Sequence, residues 1–390
     1  MSSGDPHLTA IREAIRTAVD DGIWPAAQFA VARHGELMAF EAFGDATEND
    51  RFCLFSATKP VVASLVWQLL GEGLLDLDTR VSDLWPEFGA HGKEAVTVEQ
   101  VLLHTSGFPN AAIDRDRIAT HEGRAGQMAE WRLEWEPGTR YEYHPLSAHW
   151  VLAEAVHRVT GQDFRQALRT RVLDPLGLDR LELGVPAERQ GDLKRVAITG
   201  KPSLAVIEAL FGMPLDEAQL DAGLAAGLVF ANEPEVIAAG VPGAGAFSDA
   251  ADVVLFYQAL LRNEPQVWRP DVLAMATGRI RNTFPDTLRA GASANRTIGL
   301  VVAGPDDDAV LEIGETGITV PARAFGGHVA AFGGHVSERA FGHGGAGGQS
   351  AWADPDSGLS FCLLTNGMTR DVLRDFDLHQ TIESHVPALA

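Results

Sequence analysis

The 390-residue chain predicts a mixed α/β (α+β) fold, in which an antiparallel sheet flanked by helices is built from both termini around an inserted, mainly helical domain. Two observations predict it. Strand patterns gather towards the two ends, and the stretch between them carries helical periodicity joined by Pro- and Gly-containing turns. The implied division assigns 1–55 and 240–390 to the α/β part and 56–239 to the helical part, with the candidate site between them.

The elements follow in order. Residues 7–22 place Leu8, Ile11, Ile15 and Val19 on one helical face. Two strands, 27–33 and 37–44, flank His34-Gly35-Glu36, a hairpin signal. Phe52-Cys53-Leu54-Phe55 is apolar and reads as a strand or a buried segment. Helix patterns follow at 60–73, 97–104, 146–160 and 163–172, while 186–200 and 212–222 read as surface excursions. From about 243 the texture changes. Val253 to Arg262 is a helix pattern, and 298–302, 350–353 and 359–366 read as strands. A terminal helix is expected over about 368–386. The stretches 108–132 and 270–297 are expected to be loops that shape a pocket.

Composition narrows the function classes. The 53 acidic and 31 basic residues give a net charge of −22, which argues against nucleic acid and anionic membranes as partners. No run is long and apolar enough to span a bilayer. The start, Met1-Ser2-Ser3-Gly4-Asp5-Pro6, lacks the basic and apolar regions of a secretory leader, so a cytoplasmic setting is expected. Cys53 and Cys362 both sit in apolar surroundings and are expected to be buried, reduced thiols. The segment Ala324-Phe325-Gly326-Gly327-His328-Val329 recurs as 331–336 and in part as 340–345. Its histidines lack carboxylate or cysteine partners at ligand spacing, so a glycine-rich loop leading into a strand is expected, with no metal and no other cofactor.

The strongest chemical signal is Ser56-Ala57-Thr58-Lys59, just ahead of the apolar run 60–70. On a helix, residues three apart share a face, so the Lys59 amine can lie beside the Ser56 hydroxyl. A serine hydroxyl needs such a base to act as a nucleophile. Burial lowers a lysine pKa enough to supply one. The helix N-terminus adds a favourable field for a developing alkoxide.

Several further segments, taken with this one, resemble the serine β-lactamase and penicillin-binding superfamily, with the likeness greatest to its class C-like branch, which includes the family VIII carboxylesterases. They are Leu74-Leu75-Asp76-Leu77-Asp78, the stretch 96–107 ending in His104-Thr105-Ser106-Gly107, Glu142-Tyr143-His144-Pro145, the stretch 242–248 with Asp252, and Phe341-Gly342-His343-Gly344-Gly345-Ala346-Gly347-Gly348. The resemblance implies Ser56 as acylated nucleophile, Lys59 as proton relay and Tyr143 as partner base, its pKa lowered by Lys59. It leaves open which of Lys59 and Tyr143 takes the proton. Tyr141 is a rival to Tyr143, because in extended chain the two would point the same way. The implied oxyanion hole is the backbone amides of Ser56 and Ala346. His343, Gly344 and Gly345 would lie on the substrate side, where glycines let a strand approach closely. His343 is read equally well as a structural strand residue, and His104 as a hydrogen-bonding support.

The departures from the pattern point to substrate. His343-Gly344-Gly345 stands where penicillin-recognising members carry Lys-Thr-Gly, and Pro145 replaces the asparagine of Tyr-x-Asn. Both losses remove groups that would hold a lactam, which points to neutral esters. There is no Gly-x-Ser-x-Gly, so an α/β-hydrolase elbow is not the route. The expected activity is a serine carboxylesterase acting on small or medium esters. An amidase, a D-stereospecific peptidase, a weak β-lactamase, an acyltransferase or a silent scaffold on the same fold are the alternatives. A homo-oligomer stays open.

Overall fold

Ala26–Arg33 (β1) is the strand on which the sheet is assembled, and every residue but Arg33 is buried. The computed structural model describes residues 5–202, 204, 208, 216–286, 293–304, 310–313, 318–321 and 336–390. β1 turns through His34-Gly35 into Glu36–Gly44 (β2). The other sheet strands come from the far end of the chain: Val301–Val302 (β3), Phe341–Gly344 (β4), Ser350–Asp354 (β5) and Leu359–Thr365 (β6). The order is β2-β1-β6-β5-β4-β3, and each pairing is antiparallel.

Alternation along the strands sends neighbouring side chains to opposite faces. Phe29, Val31, Phe361 and Leu363 share a core with Leu8, Ile11 and Ile15 of Pro6–Asp20 (α1). Asp5 caps that helix by accepting from the His7 and Leu8 amides, and Pro6 suits its first turn. Leu378 and Ile382 of Val372–His385 (α5) complete this layer. Ala30, Ala32, Cys362 and Leu364 point the other way, into the main core. There Val253, Val254 and Phe256 of Ala250–Arg262 (α4) pack on the sheet. The same cluster runs on without a break into the helical part, through Val61, Leu65 and Trp67 of Thr58–Gly71 (α2) and Val151 of Ser147–Thr160 (α3).

Helix α2 is buried on nearly all sides, with only Gln68 and Gly71 reaching partial exposure. That makes it a central helix, not a surface one. The Trp67 indole N–H donates to the Ile298 carbonyl at 2.6 Å, and Trp268 donates to Ser64 at 2.8 Å. Gly299 fits against it: its φ is +124°, and a Cβ there would stand 2.4 Å from the Ala63 Cβ.

Several expectations need correcting. Residues 212–215 lie outside the described residues, while 217–222 do lie at the surface but form the first turns of the helix Glu217–Asn232, opened by a capping box of Asp216 and Gln219. The 186–200 stretch includes a strand, Ala197–Thr199, paired in parallel with Gly367–Thr369. Both expected loops contain helices, His121–Glu130 and Pro270–Gly278. Within 298–302 only Val301 and Val302 join the sheet. Over 163–172 the α-helix stops at Leu168 and continues as a π-turn. Cys53 and Cys362 are both free and buried. His328 and His335 lie outside the described residues. No helix among the described residues is long and apolar enough to cross a membrane.

Gly299→Ala is expected to lower stability by about 2 kcal/mol, because it forces a side chain into a filled gap at an unfavourable φ. Thermal unfolding beside the wild type measures it. An unchanged midpoint would contradict this packing.

Candidate active site

The serine is delivered by a short apolar strand. Phe52–Cys53 pairs with Ala246–Ser248, and the Leu54 amide donates to the Ala246 carbonyl at 2.8 Å. The chain then makes one tight turn, Phe55–Ala57, before α2 begins at Thr58. Ser56 therefore sits in a 3-10 turn ahead of the α-helix. Phe55 takes φ +43°, a left-handed conformation costing roughly 1–3 kcal/mol in a non-glycine residue. Its ring is buried with Val185, Val196, Ile237 and Phe247, which holds the turn in place.

Three predicted residues meet here. Lys59 Nζ lies 3.0 Å from Ser56 Oγ and donates to the Gly243 carbonyl at 2.8 Å. The Tyr143 hydroxyl donates to Ser56 Oγ at 3.0 Å. Ser56 is 7% exposed and Lys59 is 0% exposed. Tyr141, the rival, instead accepts from Arg296 Nε at 2.9 Å. Burial pushes the Lys59 amine well below its usual range, and the charge of Arg296 adds to this. For Tyr143 the expected lowering by Lys59 is not what the site shows. Burial raises its pKa, and the cation that opposes the rise is Arg296. The resting pair is therefore a protonated phenol beside a lysine that favours its neutral amine.

The turn after β4 faces the serine turn. A Cβ on Gly345 would stand 2.6 Å from the Leu54 carbonyl oxygen, so glycine alone allows this approach. Gly345 and Gly348 amides are spent on the turn, and Gly347 donates to Gln349 Oε1. Among the described residues, neither the Ser56 nor the Ala346 amide has a hydrogen-bond acceptor. His343 and Gly344 belong to β4, whose outer neighbour β3 pairs only with Phe341 and Gly342. The His343 ring is buried, donates from Nδ1 to the Gly344 carbonyl at 2.8 Å, and lies 3.4 Å by Nε2 from Arg296 Nη1.

A shell of neutral imidazoles backs Tyr143. His104 accepts at Nδ1 from the His144 amide at 3.1 Å, and its ring lies 4.9 Å from that of Tyr143. His144 donates from Nδ1 to the Glu142 carbonyl and accepts at Nε2 from the Phe108 amide. Burial lowers the pKa of His144 to about 4 and those of His104 and His149 well below the usual value. Sequence reasoning placed His104 correctly as a support but missed His149 and Arg296. Arg296 has a readable signal: it is a lone charge directly before the apolar run 298–302. No cluster of three or more candidate metal ligands occurs among the described residues.

Residues 11–384 match the beta-lactamase family model. The chain belongs to the beta-lactamase family. Within it, Esterase/beta-lactamase LipL of Mycobacterium tuberculosis is 27% identical over 320 residues, covering 80% of this chain and 68% of its own length. Esterase EstB of Burkholderia gladioli is 32% identical over 283 residues, covering 64% and 68%. Among solved structures, EstA from Arthrobacter nitroguajacolicus Rue61a superposes with a TM-score of 0.74 at 22% identity over 100% of both chains. A family VIII carboxylesterase gives 0.71 at 24% identity over 98% of this chain and 99% of its own. These two are likenesses of fold.

The neutral histidines of this beta-lactamase-family site make stability pH-dependent. An imidazole whose pKa falls on folding stabilises the fold fully above about pH 6.5 and loses that contribution as pH drops towards 4. His144 alone should account for on the order of 3 kcal/mol over that range. Urea unfolding at pH 7 and pH 5 tests it. The wild-type midpoint should fall, and His144→Gln should flatten the trend.

Proposed function

We propose that this protein is a serine carboxylesterase acting on small or medium acyl esters through an acyl-enzyme on Ser56. The observation that carries this is the convergence of Lys59 Nζ and the Tyr143 hydroxyl on Ser56 Oγ, each at 3.0 Å. The esterase names of the two relatives in sequence support the reading.

In the proposed sequence, Ser56 Oγ attacks the ester carbonyl and its proton passes to the neutral Lys59 amine. Tyr143 holds the hydroxyl in place by its hydrogen bond and passes the proton on to the departing alkoxide. The free amides of Ser56 and Ala346 receive the oxyanion, each worth a few kcal/mol in the transition state. Water then repeats the steps on the acyl-enzyme. His343, Gly344 and Gly345 form the substrate-side wall. The amide-holding asparagine and the Lys-Thr-Gly hydroxyl are missing, and this favours esters over lactams.

The test is turnover of p-nitrophenyl acetate and butyrate. Ser56→Ala should lose at least about a thousandfold in kcat. Tyr143→Phe should lose roughly a hundredfold in kcat with KM little changed, whereas Tyr141→Phe should lose far less. A Ser56→Ala protein as active as wild type would refute the assignment.

A further inference from the structure

Arg296 is the most unusual charge in the molecule. It is 2% exposed and among the largest fully buried side chains. Among the described residues no carboxylate comes within ion-pair distance of it. Its hydrogen bonds go to neutral groups, the Tyr141 hydroxyl from Nε and His343 Nε2 from Nη1. The second of these is long, at 3.4 Å, and Nη2 has no partner among the described residues. The guanidinium carbon stands 5.0 Å from the centre of the Tyr143 ring, whose hydroxyl bonds the nucleophile.

A guanidinium carries five donors in a planar fork that matches a carboxylate. Two partners leave most of that fork unused. Burying an arginine without a counter-ion costs several kcal/mol, so such an arrangement is kept where something outside the chain completes it. The groups around it cannot. Tyr143 is held as a phenol by burial, and His343 meets the guanidinium through Nε2, a ring nitrogen and not a carboxylate. Lys59, His104 and His149 all feel Arg296 as an added positive charge. Asp286 is a buried carboxylate whose field reaches Tyr143, yet it forms no ion pair with Arg296. Next to the reacting hydroxyl the site thus holds a full positive charge with no ion-pair partner among the described residues.

We propose that Arg296 is the anchor for a free carboxylate on the substrate, so that the preferred substrates are half-esters and other esters that carry an anionic carboxylate. This rests on the esterase reading above and names its substrate class. It also amends the expectation of neutral esters. The Lys-Thr-Gly cation is gone from the strand, but a cation arrives from the segment before β3. A carboxylate there would pair with the fork in a bidentate way. The reaction is ordinary hydrolysis: the ester bond breaks, water supplies OH to the acyl group and H to the alcohol, and the carboxylate is unchanged. A polar fork built for an anion penalises the analogue that lacks it, because its donors then stay unpaired.

The test pairs charged and uncharged esters with the same reacting bond. On the alcohol side these are m-acetoxybenzoate and its methyl ester. On the acyl side they are mono-p-nitrophenyl adipate and p-nitrophenyl hexanoate. The wild type should prefer the charged member of at least one pair by about tenfold or more in kcat/KM. Arg296→Gln should collapse that ratio towards one, mainly through KM of the charged ester, and Arg296→Lys should keep part of it. Calorimetry with adipate and benzoate on the wild type gives a readout apart from turnover. Their binding should be lost in Arg296→Gln. Because the wild-type preference and binding need no variant, a misfolded Arg296→Gln leaves the test intact.

Three outcomes overturn the anchor: no preference for either charged ester, no binding of adipate or benzoate, or equal losses on both members of a pair in Arg296→Gln. The last would mean that Arg296 serves Tyr143 alone. If the esters are turned over without preference, the esterase reading survives and the anchor fails. If both anions bind through Arg296 but no ester is turned over, the anchor stands and the esterase reading fails.

Discussion

The site depends on the burial of Lys59 with no carboxylate paired to it among the described residues. An ammonium in that position would be charged only at high cost, so desolvation drives the residue towards its amine form. The fold enforces this by burying α2 on almost every side and capping the amine with a backbone carbonyl, that of Gly243. A carbonyl accepts an N–H bond without adding a negative charge that would lock the proton in place. The strand Ala246–Ser248, just downstream of Gly243, also fixes Leu54 and pairs with Phe52–Cys53. One stretch of backbone thus places the amine and the serine turn together.

Tyr143 is governed by the same dryness, with the opposite sign. Burial keeps the phenol protonated, so it acts as a donor to Ser56 Oγ at rest. Behind it, His104 and His144 are held in single neutral tautomers by backbone groups. They shape the tyrosine's position without offering protons near neutrality. Arg296 is the exception in this neutral shell, and it is the group that sets the local field.

The sequence made the nucleophile and its lysine legible because they lie three residues apart, within reach of local geometry. Tyr143 was legible only through resemblance. Nothing local separates it from Tyr141, and the choice is made by Arg296, which takes the Tyr141 hydroxyl from 155 positions away. The strands β1, β2, β5 and β6 showed in their apolar patterning because they line a core. The helix Glu217–Asn232 did not, because its acidic start resembles a surface loop, although Asp216 and Gln219 spell a capping box. His121–Glu130 and Pro270–Gly278 were hidden in the same way, one behind a Thr120 cap and the other behind a leading proline. The long-range placement of Arg296 has no periodic signature at all.

The pairing of β1 with β6, which sets Ala27 opposite Thr365, has a consequence for how the protein is made. On the ribosome the N-terminal hairpin and the helices after it emerge long before the strand that must lie beside β1. Until then one side of β1 has no ladder, and α4, already synthesised, has only part of its sheet to pack on. Contacts this distant in sequence form slowly and leave apolar surface exposed in the meantime. Nascent chains stalled before residue 359 would therefore be the forms that most need chaperone protection, and Ser56 would reach its working geometry only after β6 has emerged.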